Sequence, residues 1–516
     1  MIILLAALPL LAILVLMLVF RWSGAQAGAV GWLIALAVAA LSFGVGPRAL
    51  FWAQVRGLFR AVYVLYIIWG ALLFFRVTEA DGTLKSMSAS LRQLSPGKTL
   101  QVLLLAWGFA SFLQGVGGFG VPVAVVAPIL VSMGFSPLEG VVMPSLGHAW
   151  AISFGSLGAS YEALTSATGI PGAEIAPWMA VALGFVCFVV GWFLLILAAG
   201  RDPSKRSERI RRELGPMLTM ATAMAVVQYV AANAGLPNIA AMLGSLAGLI
   251  VGSLWAVVRR RSEEMDSAPI SVGETLSRMI PYCLLIVIIL TVNLVTPLKQ
   301  TLNRVVLQLN VPSLTLNNGE QIPAGTTKGI SVFGHPGAQL IVTGILTLIL
   351  AKVRGNLPPG SGKKIRQGVL RSGIKSTLGI LAMMAMATTM QLAGMVELLS
   401  ERMAALAGQF FPLISPFIGA LGAFMTGSNT NANVLLGAFQ QNVAQALGLT
   451  VPLILAIHNA GAAVGSVFAP AKIIVGCSTV GLSGGEGVAL RRTSRHGLLI
   501  ITLLAILGML FSLFIL

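Results

Sequence analysis

A chain of 516 residues that is 57% hydrophobic and only 9% charged, with a mean hydropathy of +0.91, cannot coat a soluble protein with charge. The formal net charge of +17 is no nucleic-acid footprint, because Lys and Arg gather in short loops between apolar runs, as membrane insertion requires. Cys187, Cys283 and Cys477 lie far apart and show neither metal-site nor disulfide-framework spacing.

The apolar runs are continuous rather than alternating, so an all-α polytopic membrane protein with about 12–14 membrane segments is expected, not a barrel. The first run, residues 2–20, has no basic stretch ahead of it and reads as a retained helix rather than a cleaved signal peptide. A second helix is predicted at 28–45. Arg48, Arg56 and Arg60 then lead into an apolar segment ending near Phe75, followed by a more polar connection at 76–99. The run at 178–199 ends at a strongly basic tract, 201–212, which belongs in the cytoplasm. Helices at 216–232 and 239–258 return the chain to Arg259, Arg260 and Arg261, and one at 280–295 exits again. Residues 296–334 carry few charges and read as external. A helix at 338–351 comes back to a second basic tract, 352–375; one at 377–396 follows, and a last one at 496–516 closes the chain. This scheme leaves Arg48, Arg56 and Arg60 outside, where an interfacial helix would accommodate them.

One stretch occurs twice. Phe112-Leu-Gln-Gly-Val-Gly-Gly-Phe-Gly-Val121 answers to Phe424-Met-Thr-Gly-Ser-Asn-Thr-Asn-Ala-Asn433. Downstream, Gly134 and Pro137 answer to Gly448 and Pro452, and His148 and His458 are each followed, after six residues, by Gly-Ser (Gly155-Ser156, Gly465-Ser466). Basic tracts follow the first copy and flank the last helix (Arg491, Arg492, Arg495), which gives the two copies opposite orientation. The domain division expected is 1–213 for the first inverted repeat, 214–275 for a connecting helix pair, and 276–516 for the second repeat and last helix.

Gly115, Gly117, Gly118 and Gly120, with Pro122 close behind, favour a helix break, since each glycine costs about 1 kcal/mol in a helix interior. At membrane depth such a break must face protein or a wet cavity, and its freed N–H groups at a half-helix start can receive an anion. The bland reading is tight helix packing by small residues. In the second copy Ser428, Asn429, Thr430, Asn431 and Asn433 crowd five hydrogen-bonding side chains into six positions, which suits a binding site better than a lipid face. Glu162 and Lys472 each lie 14 residues beyond their histidine. Ionisable groups inside spanning segments are functional candidates: Lys472 for a carboxylate, and His148, His458 and Glu162 for a coupled proton. The competing reading is local satisfaction, a histidine capping a carbonyl or a snorkelling lysine. Asn459 follows His458 and reads either as a ligand-orienting amide or as a partner for the backbone. His335, beside Pro336 at the rim of the external segment, reads as an interface residue, and His496 as a helix entry. Met383, Met384, Met386, Met390 and Met395 read as adaptable core packing rather than metal ligands.

The stretch from Gly115 to Ala124 resembles the glycine-rich signature of the bacterial L-lactate permease family. The second signature, Thr426 to Leu435, then Ala469-Pro-Ala-Lys472 and the Val480-Gly-Leu482 turn, is similar to it as well. The resemblance implies transport of lactate and glycolate with protons across the bacterial inner membrane. It also implies kinship with an ion-transporter superfamily of inverted repeats, paired re-entrant hairpins and elevator-type movement. Ser428-Asn429-Thr430 is similar to the Ser-Asn-Thr signature of dicarboxylate transporters of that group. Two departures stand in the expected site: Asn429 where the family has an acidic residue, and Gly147-His148-Ala149-Trp150 in place of an asparagine-containing segment.

The resulting expectation is a secondary transporter of a small organic monocarboxylate, a proton symporter, with each repeat carrying a re-entrant hairpin or broken helix. Sodium coupling, or a sulfonated hydroxy acid as cargo, is the alternative; an anion channel and a membrane-embedded enzyme are more distant ones. The substrate set comprises Gly117, Gly118, Phe119, Gly120, Ser428, Asn429, Thr430, Asn431, Asn433, His458, Asn459 and Lys472. No catalytic residue, metal or cofactor is expected, since HExxH and ATP-binding-loop patterns are missing from the sequence. The expected partners are a small organic anion, a proton or sodium ion and the lipid bilayer, with a homodimer left open and no nucleic acid.

Overall fold

Runs of Leu, Val, Ala and Ile in an apolar medium must pair every backbone N–H and C=O internally, and a helix does so within one segment. The computed structural model describes the chain apart from residues 21, 95–96, 119, 201–202, 263–278, 317–320, 328, 483 and 516. Its first half runs α1 (Ile2–Leu18), α2 (Gly24–Ser42), α3 (Pro47–Ala80), α4 (Thr83–Leu94), α5 (Lys98–Val116), α6 (Val121–Ser132), α7 (Pro137–Gly147), α8 (Ala159–Thr168), α9 (Gly172–Ala198), α10 (Pro203–Asn233) and α11 (Pro237–Ser262). The second half runs α12 (Ile280–Leu294), α13 (Thr296–Leu302), a β-segment, α14 (Pro336–Val353), α15 (Ser361–Leu392), α16 (Met395–Ala407), α17 (Phe411–Thr426), α18 (Asn429–Ala446), α19 (Val451–Val467), α20 (Pro470–Thr479) and α21 (Glu486–Ile515). Among the described residues eleven helices are long and apolar enough to cross a membrane, or twelve if the bent pair α12–α13 is one span. Two shorter apolar stretches, Ile2–Met17 and Val121–Ser132, add to these.

Local sequence explains many of the starts. Ser23 with Gln26 and Ser136 with Glu139 form reciprocal capping boxes, and Pro47, Pro137, Pro336 and Pro470 sit in first turns, where no N–H is needed. The polar connections are more helical than composition alone indicates. Helix α15 starts at Ser361 rather than at 377, because Gly360 (φ 80°) ends the preceding turn and Lys and Arg are good helix formers. For the same reason α10 begins inside the basic tract, and 76–99 is the end of α3 plus α4. The boundary expected at residue 213 therefore falls within α10, which pairs with α11. This pair packs directly on α5, Gly115 and Gly108 lying against Met242 and Leu249. Arg48, Arg56 and Arg60 belong to α3 itself, a continuous helix of 34 residues, and not to a separate interfacial helix. Within 296–334 there is β-structure that the sequence reading lacked: β1 (Val306–Leu307) pairs with β6 (Ile330–Ser331), β2 (Asn310–Val311) with β5 (Gly325–Thr326), and β3 (Leu314–Thr315) with β4 (Gln321–Ile322). All three ladders are antiparallel, so the segment is one long irregular hairpin.

Two helix pairs organise the interior. Helices α17 and α18 fold back on each other about the turn at Gly427 (φ 68°): Ser415 donates to Gln440 at 2.8 Å, and Gly422 lies against Ala432 and Leu436. Helices α5 and α6 do the same about Gly118 (φ 60°) and Gly120 (φ 84°), and at the far end Gly134 lies against the Lys98 ammonium. Each pair packs on the short helix of the other half. Helix α6 meets α20 where Val123 covers Gly476; α18 meets α8 where Leu164 and Thr168 cover Gly437. Helix α15 with its methionines lies against α2: Met383 packs over Gly24 and Gly28, and Met386 over Gly31.

Candidate functional site

Both copies of the repeated stretch are helix breaks, reached differently. In the second, Ser428 caps α18 by accepting from the Asn431 N–H at 3.3 Å, and Thr426 Oγ donates to the Ser428 carbonyl at 3.0 Å. The N–H groups of Asn429 and Thr430 open the helix and have no intrahelical acceptor. In the first, Gly118 lies so close to Ser156 that a Cβ there would overlap the Ser156 hydroxyl. Glycine is required both for that approach and for the positive φ.

The two histidine-to-serine segments, matched in sequence, differ in conformation. Around His458 the helix α19 is unbroken as far as Val467. After His148 the chain unwinds through two short 3₁₀ turns, with Ser156 (φ 48°) and Leu157 (φ 55°) in the left-handed region. Non-glycine residues held there cost about 1–3 kcal/mol each and are retained where the surroundings over-determine them.

The segments meet in a knot of amides. Asn429 Nδ2 donates to Asn459 Oδ1 at 3.0 Å and to Ser153 Oγ at 3.3 Å, joining α18, α19 and the unwound segment. Asn433 Nδ2 donates to the carbonyl and hydroxyl of Ser160 in α8, at 2.9 and 3.0 Å. The Oδ1 atoms of Asn429 and Asn433 are buried without a hydrogen-bond partner.

Beside this knot lies a cavity of ≈ 540 Å³. The tip 426–431 forms one wall; Gln114, Gly155, Ser156 and Ser160 form the other; Lys472 and Lys375 supply two ammonium groups. No Asp or Glu is among the lining residues, so the electrostatics favour an anion. Lys472 Nζ donates to Ser466 Oγ at 3.0 Å, which holds the side chain while leaving further donors. The mouth carries the exposed Ser23 and Lys375.

Of the residues singled out from sequence, Ser428, Asn429, Thr430, Asn431 and Lys472 line this cavity. Asn433 and Asn459 stand behind it, in the amide network. Gly117 is packed against Phe75, and Gly118 and Gly120 set the turn behind Ser156; Phe119 lies outside the described residues. His148, His458 and Glu162 are elsewhere. His148 is fully buried with Nδ1 2.6 Å from the Pro144 carbonyl; His458 is fully buried against Gly419, with neither ring nitrogen hydrogen-bonded. Glu162 accepts from Tyr63 Oη at 3.0 Å and from Thr165 Oγ1 at 3.3 Å, and faces a separate cavity with Asn238, Asn293 and Gln339. His335 caps α14, between Tyr63 and Tyr66. Sequence reasoning missed Gln114, Ser160 and Lys375. Gln114 lies inside the first repeated stretch and was the one open to recognition, as a polar residue directly before the glycines.

These features define a polytopic helical membrane protein in which the second helix break and the unwound segment after His148, from separate halves of the chain, line one cationic, amide-lined cavity. The model of the L-lactate permease family matches residues 2–515, and the chain belongs to that family. It is a lactate-type transporter and a multi-pass protein of the bacterial inner membrane. An L-lactate permease of Bacillus subtilis (strain 168) is 27% identical, with 94% of this chain and 92% of the relative covered. The glycolate permease GlcA of Escherichia coli (strain K12) is 25% identical, with 98% and 95% covered. Among solved structures, the YdaH transporter of Alcanivorax borkumensis matches with a TM-score of 0.48 and 14% identity, covering 91% of this chain and 89% of that one.

Proposed function

We propose that the protein carries L-lactate, glycolate or a closely related 2-hydroxy monocarboxylate into the cell together with protons. The observation that supports this reading most strongly is the cavity itself: two ammonium groups, the open N-terminus of α18 and a ring of amides and hydroxyls, with no carboxylate among the lining residues. The substrate carboxylate takes Lys472 and the Asn429 and Thr430 N–H groups, and its hydroxyl the amide of Gln114 or the hydroxyl of Ser156. In this reading both helix pairs are re-entrant hairpins of inverted repeats, each clasped by the short helix of the other half, and the clasped unit shifts as one body against α3 and α15. Glu162, held by Tyr63 and Thr165 on the far side of α8, is the foremost proton carrier; His148 and His458 rank behind it because they face packed protein.

A second reading rests on the buried, unpartnered Oδ1 atoms of Asn429 and Asn433, hard oxygen ligands that suit a sodium ion. Proteoliposomes separate the two. Labelled L-lactate is expected to accumulate when the outside is acidified in sodium-free buffer, and unlabelled glycolate is expected to compete. Accumulation that follows a sodium gradient and ignores pH contradicts the proton version; uptake of a labelled sulfonated hydroxy acid that unlabelled lactate does not reduce contradicts the cargo.

A further inference from the structure

The ten-residue helix α8 joins two cavities. At its start Ala159 and Ser160 line the amide cavity; near its end Thr165 and Ser166 line another, of ≈ 480 Å³. At 1.5 Å per residue the two lie about 9 Å apart along the helix. The second cavity sits beneath the β-segment, whose Thr326 and Thr327 close one side, and its other wall is Arg56, Arg60 and Tyr63 of α3. A smaller cavity of ≈ 200 Å³ adjoins it, and Arg56 and Arg60 line both.

The arginines are one helical turn apart. Arg60 Nη1 donates to the neutral Gln391 amide at 2.9 Å. Among the described residues neither guanidinium is in a salt bridge, although Glu397 lines the smaller cavity. Like charges at this spacing repel, so the pair is unfavourable until an anion lies between them. A guanidinium fork fits a carboxylate with two parallel hydrogen bonds, and the hydroxyls of Thr165, Ser166, Thr326 and Thr327 surround the place where the rest of a small hydroxy acid would lie. Between this cavity and the amide cavity stand the Tyr63–Glu162 hydrogen bond and the Asn433–Ser160 pair.

The geometry points to a capture site at Arg56 and Arg60, on the side of the protein that bears the β-segment, which takes a small organic carboxylate before it passes the Tyr63–Glu162 layer to the amide cavity. The inference rests on the carboxylate-uptake reading for the identity of the cargo. The arginines concentrate the anion from solution, so they act on encounter and not on the affinity of the amide cavity.

The test is initial uptake of L-lactate in vesicles of uncharged phosphatidylcholine at low and high salt, with R56Q/R60Q and the charge-keeping R56K/R60K beside the wild type. The double glutamine variant is expected to raise KM by roughly tenfold, to keep kcat, and to lose the salt dependence of uptake. The double lysine variant should retain the salt dependence. Thermal stabilisation of the purified protein by saturating L-lactate, which reports the amide cavity, should be unchanged in both and shows that they are folded. A double glutamine variant with wild-type KM and salt dependence overturns the site, as does a loss of kcat alone. An effect that appears only when anionic lipid is added also overturns it, because the arginines would then hold a lipid headgroup. Wild-type protein that takes up no lactate fails the cargo reading instead, a result distinct from any of these.

Discussion

Replacing Lys472 by glutamine is expected to weaken L-lactate binding by roughly 10- to 100-fold, since a hydrogen bond to a charged group is worth about 1.5–3 kcal/mol and each 1.4 kcal/mol is tenfold. Lys472 is fixed by Ser466 and stands over the N-terminus of α18, where a carboxylate gains both the ammonium and the helix N–H groups. Lys375 lines the same cavity but is exposed at its mouth, and water screens it. Lys375→Gln should therefore cost less than Lys472→Gln, by several-fold. Binding followed by substrate-induced thermal stabilisation checks both variants. Equal losses would place the carboxylate at the mouth rather than against the helix.

The second large effect concerns the scaffold. Gly147 ends α7 where the chain crosses α5, and a Cβ there would overlap the Ala106 carbonyl oxygen; Ser111 donates to the Gly147 carbonyl at 3.1 Å from the same helix. Backbone meets backbone at this crossing, so no side chain can turn aside. Gly147→Ala must push the two helices apart, at a cost of about 1–3 kcal/mol or more. It should also shift the unwound segment that follows, including Ser153 and Ser156. A lowered melting temperature in detergent and reduced uptake are the expected results. Gly362→Ala is the control: that position in α15 has open space where the Cβ would go, so the change should be neutral or slightly stabilising.

Some of this was legible in the residues. Five polar side chains in six positions, inside apolar sequence, marked the second break, and four of the five, Ser428, Asn429, Thr430 and Asn431, line the cavity. The run of glycines marked the first break but not its purpose, because its turn supports Ser156 from behind and the sequence does not show which residue a glycine makes room for. The histidines lie away from the cavity for a geometric reason. Successive residues on a helix point about 100° apart, so Asn459 can face Asn429 while His458, one position earlier, faces Gly419. Sequence matching cannot tell these directions apart. Lys375 was hidden in a basic tract that reads as a loop, and only the continuous helix α15 carries it to the cavity. The β-segment went unread because its strands are two residues each, too short for an alternating pattern to register.

The central claim is that the unwound segment of the first half and the helix break of the second line one carboxylate-binding space. Thiol labelling tests it most directly, with Cys187, Cys283 and Cys477 replaced and single cysteines introduced by Ser156→Cys in one half and Thr430→Cys in the other. L-lactate at saturating concentration is predicted to slow labelling at both positions, while a cysteine placed by Leu406→Cys, on an exposed helix face, is unaffected. Protection at neither position, or at one only, in variants that still transport lactate would contradict the account.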